Sequence, residues 1–203
     1  MLKIGMMHIN AVNLGDLIIY KTSEYLLKKA LKELGIKEYN LIPVDIALSN
    51  AKDTIKFGKN LLKKAELKAQ IAQKNSISEA DEEQQYIESW HHSEPYLYFQ
   101  KYEEEKIKNM DLIFFCGGGL IKYKQQNFHY ILHEVTKIAE KENIPVIISS
   151  AGVEGFDESA ECRILKKAIN RSCVKYISTR DDFRTLKEKY IDNPDIVIES
   201  VCD

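Results

Sequence analysis

Glycine residues that directly follow an apolar run are the residues of this sequence best suited to bind a ligand. Three successive glycines, Gly117, Gly118 and Gly119, come after the run that ends at Cys116. Because glycine has no side chain, backbone amides in such a segment can approach a phosphate, a carboxylate or a sugar hydroxyl closely. The segment has neither the GxGxxG spacing of dinucleotide sites nor the lysine and hydroxyl of a P-loop. It predicts an anion or sugar site, and a tight turn that packs a helix on a strand is the alternative.

Two further turns have a similar composition. Asn13, Gly15 and Asp16 precede a long helical pattern, and Ser150 and Gly152 follow a later apolar run. We expect these residues to bind substrate and Asp16 to act as a catalytic acid or base, with helix capping as its alternative role. If the three turns lie on one edge of a sheet, they form a single cleft.

Two other side chains are candidates for catalysis. Arg180 follows another apolar run, and its planar guanidinium can bind a phosphate or a carboxylate, a salt bridge to Asp181 or Asp182 being the alternative. His129, near the start of a helical pattern, is a candidate acid or base. His133 lies four residues further on the same face, but the HExxH pattern of zinc peptidases is missing. We therefore predict no metal and no cofactor.

Apolar runs predict the strands that position these residues. They cover 2–8, 39–44, 112–116, 145–149, 174–178 and 196–198. Helical patterns follow four of them, over 17–34 and about 126–142, 158–170 and 181–189. Continuous apolar strands imply burial on both faces, and helices between them imply parallel pairing. The pattern predicts an α/β fold with a doubly wound, Rossmann-like parallel sheet, in which ligands bind beyond the carboxyl ends of the strands.

A polar segment at about 49–108 interrupts this alternation and is predicted to be a helical insert. Residues 56–74 form a basic amphipathic pattern, and an acidic run over 79–88 follows it. The favoured interpretation is a solvated pair of helices that caps the sheet. A helix on a membrane surface is the alternative.

The amino-acid composition limits the classes of partner that we expect this chain to bind. The chain has 29 basic and 31 acidic residues and a formal net charge of −2, so its overall field attracts neither nucleic acid nor an anionic membrane, and any anion site must be local. Four cysteines without a CxxC pair predict reduced, buried thiols. The sequence has no signal-peptide pattern and no apolar run near the roughly 20 residues that a membrane helix needs. We predict a cytoplasmic protein with no nucleic-acid partner and no integral membrane segment.

Four segments, taken in order, resemble the polysaccharide pyruvyl transferase family. They are Asn13-Leu14-Gly15-Asp16 with Ile18, FFCGGGLI at 114–121, PVIISSAGVEGF at 145–156 and ISTRDDFRTLKE at 177–188. The resemblance spans nearly the whole chain. It implies that residues 1–203 are the N-terminal Rossmann-like half of a glycosyltransferase-B-like architecture, whose C-terminal domain is absent from this sequence.

The resemblance also implies transfer of the enolpyruvyl group of phosphoenolpyruvate onto a pair of saccharide hydroxyls, which forms a ketal. Phosphoenolpyruvate and a saccharide acceptor are then the partners, and a homo-oligomer is left open. Such chemistry needs an acid, a base, and cations or amides that hold the carboxylate and phosphate, which Asp16, His129, Arg180 and the glycine amides can supply. This half alone is expected to be inactive. A nucleotide-sugar transferase half of the same shape and a non-catalytic sugar-binding or regulatory module are the alternatives.

Overall fold

The computed structural model describes residues 1–9, 14–47, 78–124 and 127–201, which form an α/β fold around one sheet. The strands of these residues are β1 (Leu2–His8), β2 (Tyr39–Asp45), β3 (Leu112–Phe115), β4 (Gly118–Ile121), β5 (Val146–Val153), β6 (Val174–Thr179) and β7 (Val197–Ser200). The helices are α1 (Leu14–Glu33), α2 (Glu79–His91), α3 (Glu94–Tyr102), α4 (Glu104–Lys108), α5 (Phe128–Lys141), α6 (Ala160–Ile169) and α7 (Phe183–Thr185). Helix α7 continues into a π-helical turn, Leu186–Tyr190.

The strands are parallel and follow the order β2-β1-β3-β5-β6-β7, with β4 paired to β5. In this register His8 lies opposite Asp45, and Met7 lies opposite Phe115. The chain moves from β1 to one side to form β2 and then to the other side to form β3, so the order of strands reverses beside β1. Ligands bind at such a point in parallel α/β sheets. The predicted doubly wound, Rossmann-like fold is confirmed.

Two apolar layers cover the faces of the sheet. Along β1, Ile4 and Met6 belong to the layer under α1, whereas Met7 belongs to the larger layer formed with the later helices. This alternation follows from the period of two in a strand. Among the described helices, α1 alone contributes to the smaller layer, through residues that include Leu27 and Leu31. No helix in the described parts of the chain is long and apolar enough to cross a lipid bilayer.

Two segments predicted to be turns are strands. Gly118–Ile121 forms β4, whose Gly118 pairs with Ala151 of β5, and β5 runs on to Val153 instead of ending at Ser149. The chain kinks between β3 and β4 where Gly117 and Gly118 have φ of +90° and +88°, which residues with a side chain rarely adopt. Because apolar content is low in both extensions, the sequence pattern does not show them as strands.

The second half of the predicted insert contains α2, α3 and α4. Helix α2 holds the acidic run and is attached to α6 by the buried Glu83, which accepts hydrogen bonds from Arg163 Nε at 2.9 Å and Lys167 Nζ at 2.5 Å. The basic pattern predicted at 56–74 lies outside the described residues.

Candidate functional site

The ends of β3, β4 and β5 are in direct contact. A Cβ atom added at Gly117 would lie 3.0 Å from the carbonyl oxygen of Ser149, and one added at Gly152 would lie 3.5 Å from that of Gly118. Gly117, Gly118 and Gly152 are buried, whereas Gly119 is partly exposed. An added Cβ at 117 would therefore crowd the backbone of β5, whereas at 152 its distance from the Gly118 carbonyl is an ordinary van der Waals contact. Two of the three predicted glycine segments lie together at the carboxyl edge of the sheet.

Asp181 attaches the end of β6 to the same edge. Its carboxylate accepts hydrogen bonds from the backbone N–H of Val153 at 2.9 Å and of Asp182 at 2.7 Å. The carboxylate also lies near Gly152, whose added Cβ would be 3.2 Å from Oδ2. The N-cap of α7 is Asp182, which accepts a hydrogen bond from Thr185 N at 2.9 Å, so Asp181 is left to bind the end of β5.

Ser150 has an unusual backbone conformation at this edge. Its φ is +50°, which a residue with a side chain adopts at a cost of order 1–3 kcal/mol. The Ser150 N–H donates to Ser178 Oγ at 2.8 Å, which holds the conformation in place. Backbone strain of this kind is concentrated at functional sites.

Two cationic residues lie beside these strand ends. Arg180 follows β6, its N–H donates to the carbonyl of Ala151 at 3.3 Å, and its side chain is partly exposed. Lys122 lies across Gly119, since a Cβ added there would be 2.6 Å from Lys122 Nζ. Lys122 was not among the candidates predicted from the sequence, although a lysine three residues after the glycine run was an available signal.

The first two strands bring a histidine and a carboxylate to the same edge. His8 lies directly opposite Asp45, and its ring centroid is 4.3 Å from that of Tyr20 in α1. Burial lowers the pKa of His8, while the nearby Asp45 carboxylate opposes this shift. The imidazole is therefore neutral at pH 7 and can accept a proton. The sequence did not reveal this pair because only the strand register brings the two residues together.

The start of α1 lies next to the end of β3. Asp16 is in the first turn of the helix and is partly exposed. Gly15 is exposed on the same turn. Ser23 Oγ, two turns further, donates to the carbonyl of Cys116 at 2.8 Å and fixes the helix beside the glycine segment. Asn13 lies outside the described residues.

His129 has a different environment from the other candidates. Its side chain is fully buried between α5 and α6, with Nε2 3.8 Å from Glu161 Oε1 and its ring 4.0 Å from that of Tyr130. His133 is in the same helix, and burial, together with the charge of Arg171, lowers its pKa to about 4. The catalytic role of His129 stays a prediction.

Thiol chemistry and metal binding have little support among the described residues at this edge. Burial raises the pKa of the Cys116 thiol, so the thiol stays protonated and is a poor nucleophile. Over the described ranges, no group of three or more His, Cys, Asp or Glu side chains is arranged to hold a metal ion. The polar groups that remain are cations, a neutral imidazole and carboxylates, which suit the binding of an anion and the transfer of protons.

The fold is that of a Rossmann-like α/β domain, and the ends of its strands bring together cations, a neutral imidazole and carboxylates. The sequence model for polysaccharide pyruvyl transferases matches residues 13–203. The chain therefore belongs to the polysaccharide pyruvyl transferase family, which implies polysaccharide pyruvyl transferase activity in general terms and suggests a sugar acceptor and a phosphoenolpyruvate-type donor. Comparison with curated proteins and with solved structures finds no match.

Proposed function

We propose that the chain binds phosphoenolpyruvate at the carboxyl edge of its sheet and takes part in transfer of the enolpyruvyl group to a saccharide. The observation that carries this proposal is the contact among the ends of β3 to β6, made through Gly117, Gly152 and Asp181. Parallel α/β sheets bind their ligands at this edge. Family membership supports the donor and the class of acceptor.

The reaction joins two hydroxyls of one saccharide to carbon 2 of phosphoenolpyruvate. The first hydroxyl adds to carbon 2 while the methylene carbon gains a proton and becomes a methyl group. The second hydroxyl then displaces phosphate from the same carbon, which closes a cyclic ketal and leaves the carboxylate intact. The two hydroxyl protons are taken up by a base and by the departing phosphate. The site must therefore bind two anionic groups and supply one acid and one base.

Residues at this edge can divide these tasks. Arg180 and Lys122 supply positive charge for the phosphate and carboxylate of the donor. Neutral His8 accepts the proton of the attacking hydroxyl, and Asp16 is the candidate group that delivers a proton to the methylene carbon. The partly exposed Gly119 lies beside Lys122, where its backbone can approach the donor closely.

We place the other predicted substrate-binding residues around this donor site. Gly15 lies beside Asp16, and Ser150 and Gly152 lie on the extension of β5. The remaining catalytic groups are proposed to come from a second α/β domain in a glycosyltransferase-B-like arrangement. The free, buried thiols of Cys116, Cys162 and Cys173 are consistent with a reaction in the reducing cytoplasm.

The test is release of inorganic phosphate from phosphoenolpyruvate by the intact gene product in the presence of candidate saccharides. We expect kcat/KM to fall about 100-fold or more in Arg180→Gln and in Lys122→Met, because each removes a charge that stabilises the transition state. Arg184→Gln is the matched control, since this arginine of α7 is 85% exposed and paired with Glu188 in the π-helical turn. Unchanged kcat/KM in both variants would show that phosphoenolpyruvate does not bind at this edge of the sheet. Tight binding of a nucleotide sugar, with none of phosphoenolpyruvate, would favour the nucleotide-sugar transferase.

A further inference from the structure

Helix α1 and the residue after its end carry most of the exposed large hydrophobic side chains among the described residues. Six of the ten lie there: Leu14, Leu17, Ile18, Tyr25, Leu26 and Leu34. Ile18 is 56% exposed and Tyr25 is 68% exposed. Exposed apolar side chains normally lie scattered over a surface, so their concentration on one helix marks an interaction surface.

This helix has two different faces. Tyr20, Leu27 and Leu31 pack against the sheet. The opposite side, by the 3.6-residue period, carries Leu14, Ile18, Lys21, Tyr25, Lys29 and Lys32. We call this side the outward face of α1. It combines apolar groups toward the start of the helix with lysines toward its end, over a length of about 30 Å.

The lysines border a depression of about 560 Å³ at the carboxyl end of the helix. Its lining includes Tyr25, Lys28, Lys29, Lys32, Lys37 and Tyr39. Two of these lysines have partners, since Lys28 is 2.5 Å from Glu24 and Lys29 is 4.0 Å from Glu33. Even so, residues 14–37 hold five lysines against three acids in a chain whose net charge is −2. This region is therefore opposite in sign to the rest of the protein.

We propose that the outward face of α1, together with this depression, docks the protein on an anionic phospholipid bilayer. Exposed apolar side chains such as Ile18 and Tyr25 enter the interface, and the lysine ammonium groups lie at the level of the lipid phosphates. The depression is large enough for a phospholipid headgroup. A second copy of the chain is a poorer occupant, because a two-fold contact would bring the two lysine-rich faces together and like charges repel.

Docking in this way also orients the candidate donor site. Ser23, in the middle of α1, contacts Cys116 at the end of β3. A bilayer against the outward face would therefore lie next to the carboxyl edge of the sheet. The proposal does not depend on pyruvyl transfer, because it rests on the exposure and charge of α1 alone.

The test is sedimentation of the purified chain with large vesicles of phosphatidylcholine alone or mixed with phosphatidylglycerol. We expect binding to the anionic vesicles, weakened by added salt, and little binding to phosphatidylcholine alone. Lys29→Gln/Lys32→Gln should weaken the partition roughly 5-fold for each lysine removed. Ile18→Asp/Tyr25→Asp should reduce binding at least as strongly, and both side chains are exposed enough for the variant to fold.

Matched controls lie elsewhere on the surface. Lys137→Gln/Lys141→Gln removes two exposed lysines from α5, and Leu97→Asp changes a side chain that is 53% exposed on α3. Circular dichroism melts verify the fold of every variant. Equal binding to both kinds of vesicle, no binding by the wild type, or equal losses in controls and α1 variants would each overturn the proposal. So would a dimer in analytical ultracentrifugation that Ile18→Asp/Tyr25→Asp dissociates, or an acidic protein partner that competes for α1 while vesicles do not.

Discussion

Replacing Gly117 by alanine should destabilise the protein more than the same change at Gly35. Both glycines have positive φ, +90° at Gly117 and +73° at Gly35, so either alanine incurs the left-handed penalty of roughly 1–2 kcal/mol. A smaller conformational entropy of the unfolded alanine chain offsets about 0.4–1 kcal/mol of it. At Gly35 nothing lies within 4 Å of the added Cβ, which leaves a net loss of about 1 kcal/mol.

The added Cβ at Gly117 meets two backbone atoms as well. It would lie 3.0 Å from the carbonyl oxygen of Ser149 and 3.2 Å from that of Ser150, both held in β5. Overpacking of this kind costs about 1–3 kcal/mol, for a total loss of roughly 2–4 kcal/mol. For a chain of this size, 1 kcal/mol lowers Tm by about 2–4 °C. Urea unfolding and thermal melts measure both variants. Equal losses at the two positions would refute the close contact of β3 and β5.

Three further changes test other contacts. Glu83→Ala should lower the free energy of unfolding by about 2–4 kcal/mol, measured with urea, because it removes the buried carboxylate shared by two cations of α6. The control Glu79→Ala, at a 77% exposed position, should change the free energy of unfolding by no more than about 0.5 kcal/mol. The pKa of His133 is about 4 in the folded protein and near 6.5 in the unfolded chain. Because the unfolded state therefore gains a proton first as pH falls, the free energy of unfolding should decrease by about 2 kcal/mol from pH 7 to 5. His133→Gln should remove this loss, and an unchanged pH profile would contradict the assignment. Asp181→Ala should lower the free energy of unfolding by about 1–2 kcal/mol, because the backbone N–H of Val153 loses its acceptor. Asp181→Asn keeps an acceptor oxygen and should be closer to wild type. Equal unfolding midpoints for the two variants would argue against that hydrogen bond.

The sequence allowed the strands and the sheet type to be predicted because burial on both faces leaves a local signal. The runs at 2–8 and 39–44 correspond to β1 and β2 almost residue for residue. Strand β4 was missed because it begins with two glycines, which carry no apolar signal and were interpreted as an open turn. Helical periodicity located α1 but did not distinguish Leu31, which the sheet covers, from Ile18, which is exposed.

The candidate site was harder to predict because it depends on pairing between distant segments. His8 and Asp45 meet through the register of β1 and β2, which no local pattern encodes. The position of His129 near a helix start likewise did not reveal that its side chain is buried beside Glu161. Arg180 and Gly152 were placed at the correct edge because each follows a clear apolar strand.

A titration of the ¹⁵N-labelled chain with phosphoenolpyruvate, followed through backbone amide chemical shifts, distinguishes the two regions proposed to bind anions. We predict that the largest shifts occur at Gly119, at residues 150–153 and at Arg180, on the carboxyl edge of the sheet. Shifts confined to residues 28–37, around the lysine-lined depression, would show that the donor does not bind at the strand ends.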